Sequence, residues 1–295
     1  MIEDTLRKYG TYYSDKYFKD ITTIKMGGHI KHFVEIDNAD NLRELISILK
    51  SNKISFKVVG NGSNLICGES EYDGVVISLK KLNSYEISND EIYVEAGVMV
   101  PMLANILAKQ GLSCLEFASG IPGTIGGLVC MNAGAYKNEI SDVLNEVLVL
   151  KDNELVWMNN NECNFSYRYS VFQEHPRWII IAAKLKLVKK PSDELLELMQ
   201  DRFNRRKQTQ PLDIPSAGSC FRNPKDHYAW KLIDNIGYRG YVKSGICVSD
   251  KHSNFLVNNG GGTATDYLDI VYSIQDKVQT KFGIKLIMEV EKFNC

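Results

Sequence analysis

The chain has 295 residues, 35 Lys+Arg against 36 Asp+Glu, 44% apolar and 24% charged residues. That length suggests about two domains and cores large enough to need no disulfide staples. A net charge of −1 with no long basic block removes the electrostatic footprint of a nucleic-acid binder and leaves anionic small molecules as candidate partners.

The longest apolar run, Trp178 to Ala183, is far below the ~20 residues that a bilayer demands, so no membrane partner is expected. The acidic start Met1-Ile2-Glu3-Asp4 has no apolar signal region, which predicts a cytoplasmic protein. Seven cysteines (Cys67, Cys114, Cys130, Cys163, Cys220, Cys247 and Cys295) without a Cys-x-x-Cys pair read as reduced thiols, mostly in the core, and as neither a disulfide framework nor a metal site.

In chain order, Lys31 to Ile36 reads as a strand, and Asp40 opens an amphipathic helix with Leu42, Leu45, Ile46 and Leu49 at helical spacing. Strands follow at Phe56–Val59, Val75–Leu79 and Ile92–Ala96. Pro101 and Gly111 bracket a helix over Met102–Gln110. Val143–Leu150 and Leu155–Met158 read as a hairpin, and Trp178–Val188 is the strongest strand. The charged break Lys189-Lys190-Pro191-Ser192 predicts the domain boundary: residues 1–190 form one domain and 191–295 the other. Beyond it, helices are expected from Asp193 to the basic cluster Arg205-Arg206-Lys207, over Trp230–Ile236 and over Asp266–Phe282, with a final strand at Lys285–Phe293. Strands in antiparallel-looking runs define an α+β class.

Gly60-Asn61-Gly62-Ser63-Asn64 directly follows the strand at Phe56–Val59. Two glycines in five residues let the backbone turn and point amides into a concavity suited to a pyrophosphate. The G-x-G-x-x-G dinucleotide fingerprint is not met: Leu65 takes the third glycine position, no helix is expected to follow, and Lys80-Lys81 stand where an acid is required. A plain strand-to-turn connection is the competing reading. A second segment, Ser119-Gly120-Ile121-Pro122-Gly123-Thr124-Ile125-Gly126-Gly127, has four glycines in its last eight residues and continues into Met131-Asn132-Ala133-Gly134-Ala135-Tyr136. Small side chains over such a length permit something flat or phosphorylated to lie on the backbone; close packing of two chain segments is the alternative. Two cradles favour an extended two-phosphate cofactor.

Together with Thr22-Thr23-Ile24-Lys25-Met26-Gly27-Gly28, Ser166-Tyr167-Arg168-Tyr169-Ser170 and Pro215-Ser216-Ala217-Gly218-Ser219, these blocks resemble the UDP-N-acetylenolpyruvoylglucosamine reductase (MurB) family of bacterial peptidoglycan synthesis, in the family's order over roughly residues 20 to 290. The resemblance implies a PCMH/vanillyl-alcohol-oxidase-type FAD-binding domain followed by a C-terminal α+β substrate domain. It implies noncovalent FAD on both glycine segments: Gly60, Asn61, Gly62, Ser63 and Asn64, then Gly120, Ile121, Pro122, Gly123, Thr124, Gly126 and Gly127, with Asn132 and Gly134. It also implies NADPH as co-substrate, with hydride reaching C3 of UDP-GlcNAc-enolpyruvate by way of the flavin. The chain resembles the family's shorter class, and departs from the common pattern at His29-Ile30 and at Trp230.

Hydride addition at C3 leaves negative charge at C2, spread into the adjacent carboxylate, which must be stabilised and protonated. By resemblance, Arg168 holds that carboxylate, Glu289 acts protonated beside it, and Ser219 gives the proton. Read without the family, Arg168 between two tyrosines is a surface or stacking residue, and strand alternation puts Glu289 and Glu291 on one solvated face. Ser219 lacks the Gly-x-Ser-x-Gly elbow of a hydrolase nucleophile. Tyr167, Lys207 and Asn223 are placed on the substrate, although Lys207 also suits a basic helix C-terminus. His252 reads as structural. Another flavin oxidoreductase of the superfamily, or a non-catalytic flavin or nucleotide-binding relative, is the alternative.

Overall fold

The computed structural model describes residues 2–295. The chain forms two compact units, each assembled from three stretches. The first takes the chain up to Ser14, His32–Asn61 and Asp73–Asn204; the second takes Asp15–Lys31, Gly62–Tyr72 and Arg205–Cys295.

In the first unit, helix Ala39–Ser51 is started by Asn38, whose side chain accepts the Asn41 amide at 2.8 Å. Its spacing puts Leu42, Leu45, Ile46 and Leu49 on one buried face. The following strand, Phe56–Val59, lies parallel to Tyr72–Ser78. A separate sheet is antiparallel throughout, in the order Glu154–Asn159, Leu144–Lys151, Ile179–Lys186, Glu91–Glu95, Tyr85–Ser88. The predicted hairpin turns through Asp152 and Asn153, both at positive φ (49° and 70°), the mirror-image turn that suits right-twisted strands. Ile179, Ile180 and Ile181 share one core with Leu103 and Leu107 of helix Val100–Lys109 and with Ile125, Leu128 and Val129 of helix Ile125–Met131.

The second unit holds an antiparallel sheet in the order Ser216–Ser219, Phe255–Asn258, Ile246–Val248, Val242–Lys243. Helices Ala229–Asn235 and Ala264–Phe282 contribute Ile233, Tyr267 and Ile270 to its core. The latter helix begins in a Thr263/Asp266 capping box and stops at Gly283, φ 69°. Ile24, Met26 and Ile66 bury in this same core, and Leu65–Cys67 pairs in parallel with Glu291–Phe293; these contacts draw residues 15–31 and 62–72 away from their sequence neighbours.

Several elements differ from the sequence expectation. The Gly120–Gly127 segment, read only as a cradle or a close packing, leads into a helix over Ile125–Met131 with Thr124 as N-cap; tertiary packing of its apolar face outweighs the ~1 kcal/mol that each glycine costs a helix. The final strand is confined to Glu291–Phe293, preceded by one isolated bridge, Phe221 to Met288. Helix Ser192–Thr209 buries Leu195 and Met199 in the first core, so the units divide within it, between Asn204 and Arg205, and the break at Lys189–Ser192 lies inside the first unit. All seven cysteines are free thiols, five of them buried. Among the described residues no helix is long and apolar enough to cross a membrane.

Candidate active site

In the first unit the structure joins segments that the sequence only suggested separately. A Cβ on Gly60 would stand 2.5 Å from Thr124 Oγ1, so any larger residue would have to displace the Thr124 side chain. The next residue, Asn61, donates from Nδ2 to the Pro122 carbonyl at 2.6 Å. The first half of Gly60–Asn64 therefore packs on the Gly120–Gly127 segment. Within that segment the amides of Gly123, Ile125 and Gly126 are spent on the carbonyls of Ile121, Val98 and Ala96 at 2.8, 3.0 and 2.9 Å. Those of Gly60, Asn61, Gly120 and Thr124 donate to no backbone carbonyl. They are donors of the kind a phosphate takes up, while a Cβ at Gly60 or Gly126 would meet Thr124 or Ala96. On this observation the residues fit an FAD pyrophosphate, with Gly120 and Thr124, rather than Gly123 and Gly126, as the second segment's backbone donors.

Asn132 closes helix Ile125–Met131 in the left-handed conformation, φ 41°, and is fully buried. Its side chain serves the protein itself, donating to the Ser166 carbonyl at 2.9 Å and accepting the Ser141 amide at 3.2 Å. This locates the turn Ser166–Tyr169, whose end residues exchange hydrogen bonds of 3.0 and 3.1 Å. At the third position of that turn Arg168 takes φ 57°, a left-handed conformation that a non-glycine residue adopts at a cost of about 1–2 kcal/mol. Backbone strain of this kind gathers at functional sites. The guanidinium donates to the Gly134 carbonyl at 2.6 Å and lies over the Tyr167 ring at 5.0 Å. Gln173 Nε2 bridges the Arg168 and Cys130 carbonyls at 3.0 and 3.1 Å. Arg168 is half-buried while Tyr167 is 48% exposed. Gln173 was missed by the sequence reading, and nothing in its local pattern marks it.

In the second unit, Gly62 and Ser63 likewise have amides with no backbone acceptor. Asn64 Nδ2 donates to the Glu289 carbonyl at 3.0 Å, and the Asn64 carbonyl accepts the Glu291 amide at 2.9 Å. Ser219 ends strand Ser216–Ser219, which pairs with Phe255–Asn258 through an irregularity at Gly218, φ 79°. Beyond it, the Glu289 amide donates to the Cys220 carbonyl at 2.8 Å and the Arg222 amide to the Ile287 carbonyl at 2.9 Å. Ser219 and Glu289 are thus on directly paired segments, separated by some 70 residues of sequence. Glu289 is half-buried and Glu291 exposed, so the two carboxylates do not share one environment as strand alternation predicted. Burial pushes the neighbouring Cys220 thiol up to about 12, which keeps it neutral beside Glu289. Asn223 spends Oδ1 on capping helix Ala229–Asn235 through the Ala229 amide at 3.0 Å. Lys207 is exposed, and its carbonyl accepts Lys251 Nζ at 3.5 Å. Burial holds His252 below its usual pKa, and its ring meets Phe255 edge-on at 5.0 Å, in keeping with a structural role.

Residues 30–159 match the family model of an FAD binding domain. The BBE-like 1 protein of Physcomitrella patens superposes with a TM-score of 0.50 at 13% identity, over 64% of this chain and 44% of that one, which shows the fold alone. The protein is of α+β class, with a PCMH-type FAD-binding domain. Residues 210–293 match the model of the UDP-N-acetylenolpyruvoylglucosamine reductase C-terminal domain. The UDP-N-acetylenolpyruvoylglucosamine reductase of Caldanaerobacter subterraneus subsp. tengcongensis is 41% identical over 96% of this chain and 94% of its own. The crystal structure of the MurB reductase from Thermus caldophilus superposes with a TM-score of 0.83 at 31% identity, over 97% of this chain and all of that one. The chain belongs to the UDP-N-acetylenolpyruvoylglucosamine reductase family.

Proposed function

We propose that this protein reduces UDP-N-acetylglucosamine enolpyruvate to UDP-N-acetylmuramate with NADPH as reductant, a step of peptidoglycan precursor synthesis. In this reading it works in the cytoplasm and engages neither nucleic acid nor membrane. Residues 1–190 serve the flavin and residues 191–295 the substrate, a division by ligand rather than by compact unit. The observation that carries the reading is 41% identity to a family member over 96% of this chain, with Ser219 and Glu289 on hydrogen-bonded neighbouring segments.

FAD, held without a covalent link by the two glycine segments, supplies when bound the acceptance of hydride from NADPH and its delivery to C3 of the enolpyruvyl ether. The chain's own residues manage the charge this creates. Arg168 meets the substrate carboxylate with two parallel N–H donors and so stabilises the charge spread from C2. Glu289, protonated, hydrogen-bonds the same carboxylate. Ser219 Oγ gives its proton to C2, whose carbanion character makes it basic enough to take one from a hydroxyl. Tyr167 lines the pocket, and Lys207 and Asn223 hold the diphosphate and sugar.

The test is direct. The purified protein should be yellow and release FAD on denaturation, and with NADPH and UDP-N-acetylglucosamine enolpyruvate the nicotinamide absorbance should fall as UDP-N-acetylmuramate accumulates by mass spectrometry. A colourless protein that takes up no FAD, or NADPH oxidation without that product, overturns the reading. Within it, Glu289→Gln should slow turnover by about 10²-fold, the scale of losing one donor at developing charge, while exposed Glu291→Gln should change it less than about twofold. The reverse ranking would transfer the role to Glu291.

A further inference from the structure

Ser219 is registered opposite Phe255, but the ladder reaches it only after an irregularity that follows Ser216. The residue before it, Gly218, has φ 79°, and a Cβ placed there would meet only the Ser63 carbonyl, at 4.0 Å. The ladder to Phe255–Asn258 is irregular across this stretch. The same edge continues past Ser219 through Cys220 and Phe221.

There the main chain of Asn254 accepts the Cys220 amide at 2.7 Å. The Asn254 side chain then does what a further strand residue would do: Oδ1 accepts the Phe221 amide at 3.0 Å, and Nδ2 donates to the Phe221 carbonyl at 2.8 Å. A carboxamide carries the same donor and acceptor as a peptide group, so Asn254 extends the sheet by one residue after its own backbone has turned away. Asn254 is 4% exposed and Phe221 1%; water cannot replace these bonds, and each buried polar atom left unpaired costs about 1–3 kcal/mol. The opposite edge of the same stretch holds the Glu289 segment, through the Cys220 carbonyl and the Arg222 amide.

We infer that Asn254 is a positioning residue for the reaction, its side-chain amide clamping the Phe221 peptide so that Ser219 is held at its place of proton delivery and the Glu289 segment stays in register. The inference rests on the proposed role of Ser219 and adds to it a buried residue that acts through the backbone.

The experiment uses the FAD-loaded protein and stopped-flow flavin absorbance in each direction, with backbone hydrogen exchange at Phe221 followed in parallel. Asn254→Ala should leave reduction by NADPH within twofold of wild type, slow reoxidation by UDP-N-acetylglucosamine enolpyruvate roughly 10–100-fold, the scale of a misplacement near 1 Å, and accelerate exchange of the Phe221 amide. Asn254→Asp keeps an acceptor for that amide and should be intermediate in both readouts; it serves as the main variant if Asn254→Ala does not fold. In the double variant with Ser219→Ala, the slowing should fall well short of the product of the two single effects. Equal slowing of both half-reactions, unchanged Phe221 exchange, or fully multiplicative effects would overturn the role of Asn254. Unchanged reoxidation in Ser219→Ala alone would instead remove the reading on which it rests.

Discussion

Ser219→Ala is expected to bleach with NADPH at close to the wild-type rate and to reoxidise with UDP-N-acetylglucosamine enolpyruvate about 10²–10⁴-fold more slowly, the contribution typical of a positioned general acid. The two halves separate because NADPH oxidation involves no chemistry at C2, where the hydroxyl proton is needed. Ser219→Cys should recover little. A thiol is the stronger acid, but its longer bond and larger sulfur displace the proton, and ~1 Å errors can cost about a hundredfold. The place is defined by hydrogen bonds: Cys220 and Phe221 are tied to Asn254 on one edge, and Cys220 and Arg222 to the segment carrying Glu289 on the other. If Ser219→Ala slows both directions equally, the substitution has disturbed folding or flavin placement; if reoxidation is unchanged, water or Glu289 supplies the proton.

Arg168 allows a prediction in which stability and activity part company. Its φ of 57° suits glycine, and its guanidinium is held by the Gly134 carbonyl at 2.6 Å. Arg168→Ala and Arg168→Gly both remove the bidentate group and should each slow reoxidation on the order of 10²–10³-fold. Both lose the same hydrogen bonds, but only glycine relieves the left-handed backbone, so Arg168→Gly should be more stable than Arg168→Ala by about 1 kcal/mol. Urea unfolding of the two variants checks the sign. Equal stability would mean that the turn carries no strain, and a reoxidation rate in either variant near wild type would take Arg168 out of the mechanism. Arg168→Lys should also fail, because an ammonium cannot supply two parallel donors to a planar carboxylate.

Local pattern carried much of the architecture. The helix with Leu42, Leu45, Ile46 and Leu49 on one face, the strand Phe56–Val59, the hairpin around Asp152-Asn153 and the long helix ending at Gly283 all follow from periodicity, capping and turn chemistry, which act within a few residues. The ordered motif blocks likewise pointed to the family, because the residue types that FAD and an enolpyruvyl carboxylate require stand in the sequence itself.

What the sequence could not decide are the relations between distant segments. That Ile24 and Ile66 belong to the core of Tyr267, and not to that of their neighbours, depends on where apolar surface is buried. That Gly60 touches Thr124, leaving one set of amides spent and another available, depends on backbone approach that no composition reveals. Local alternation placed Glu289 and Glu291 on one solvated face, but Glu289 hydrogen-bonds through its backbone to Cys220 while Glu291 opens a different pairing with Leu65. Asn254 stands two residues after His252, and its part appears only once the buried Phe221 amide and carbonyl are seen bonded to its side chain. Residue type and short-range spacing thus determined which chemistry the chain can hold; long-range hydrogen bonding and burial, which sum over residues far apart in sequence, decided which of those residues are held in place to perform it.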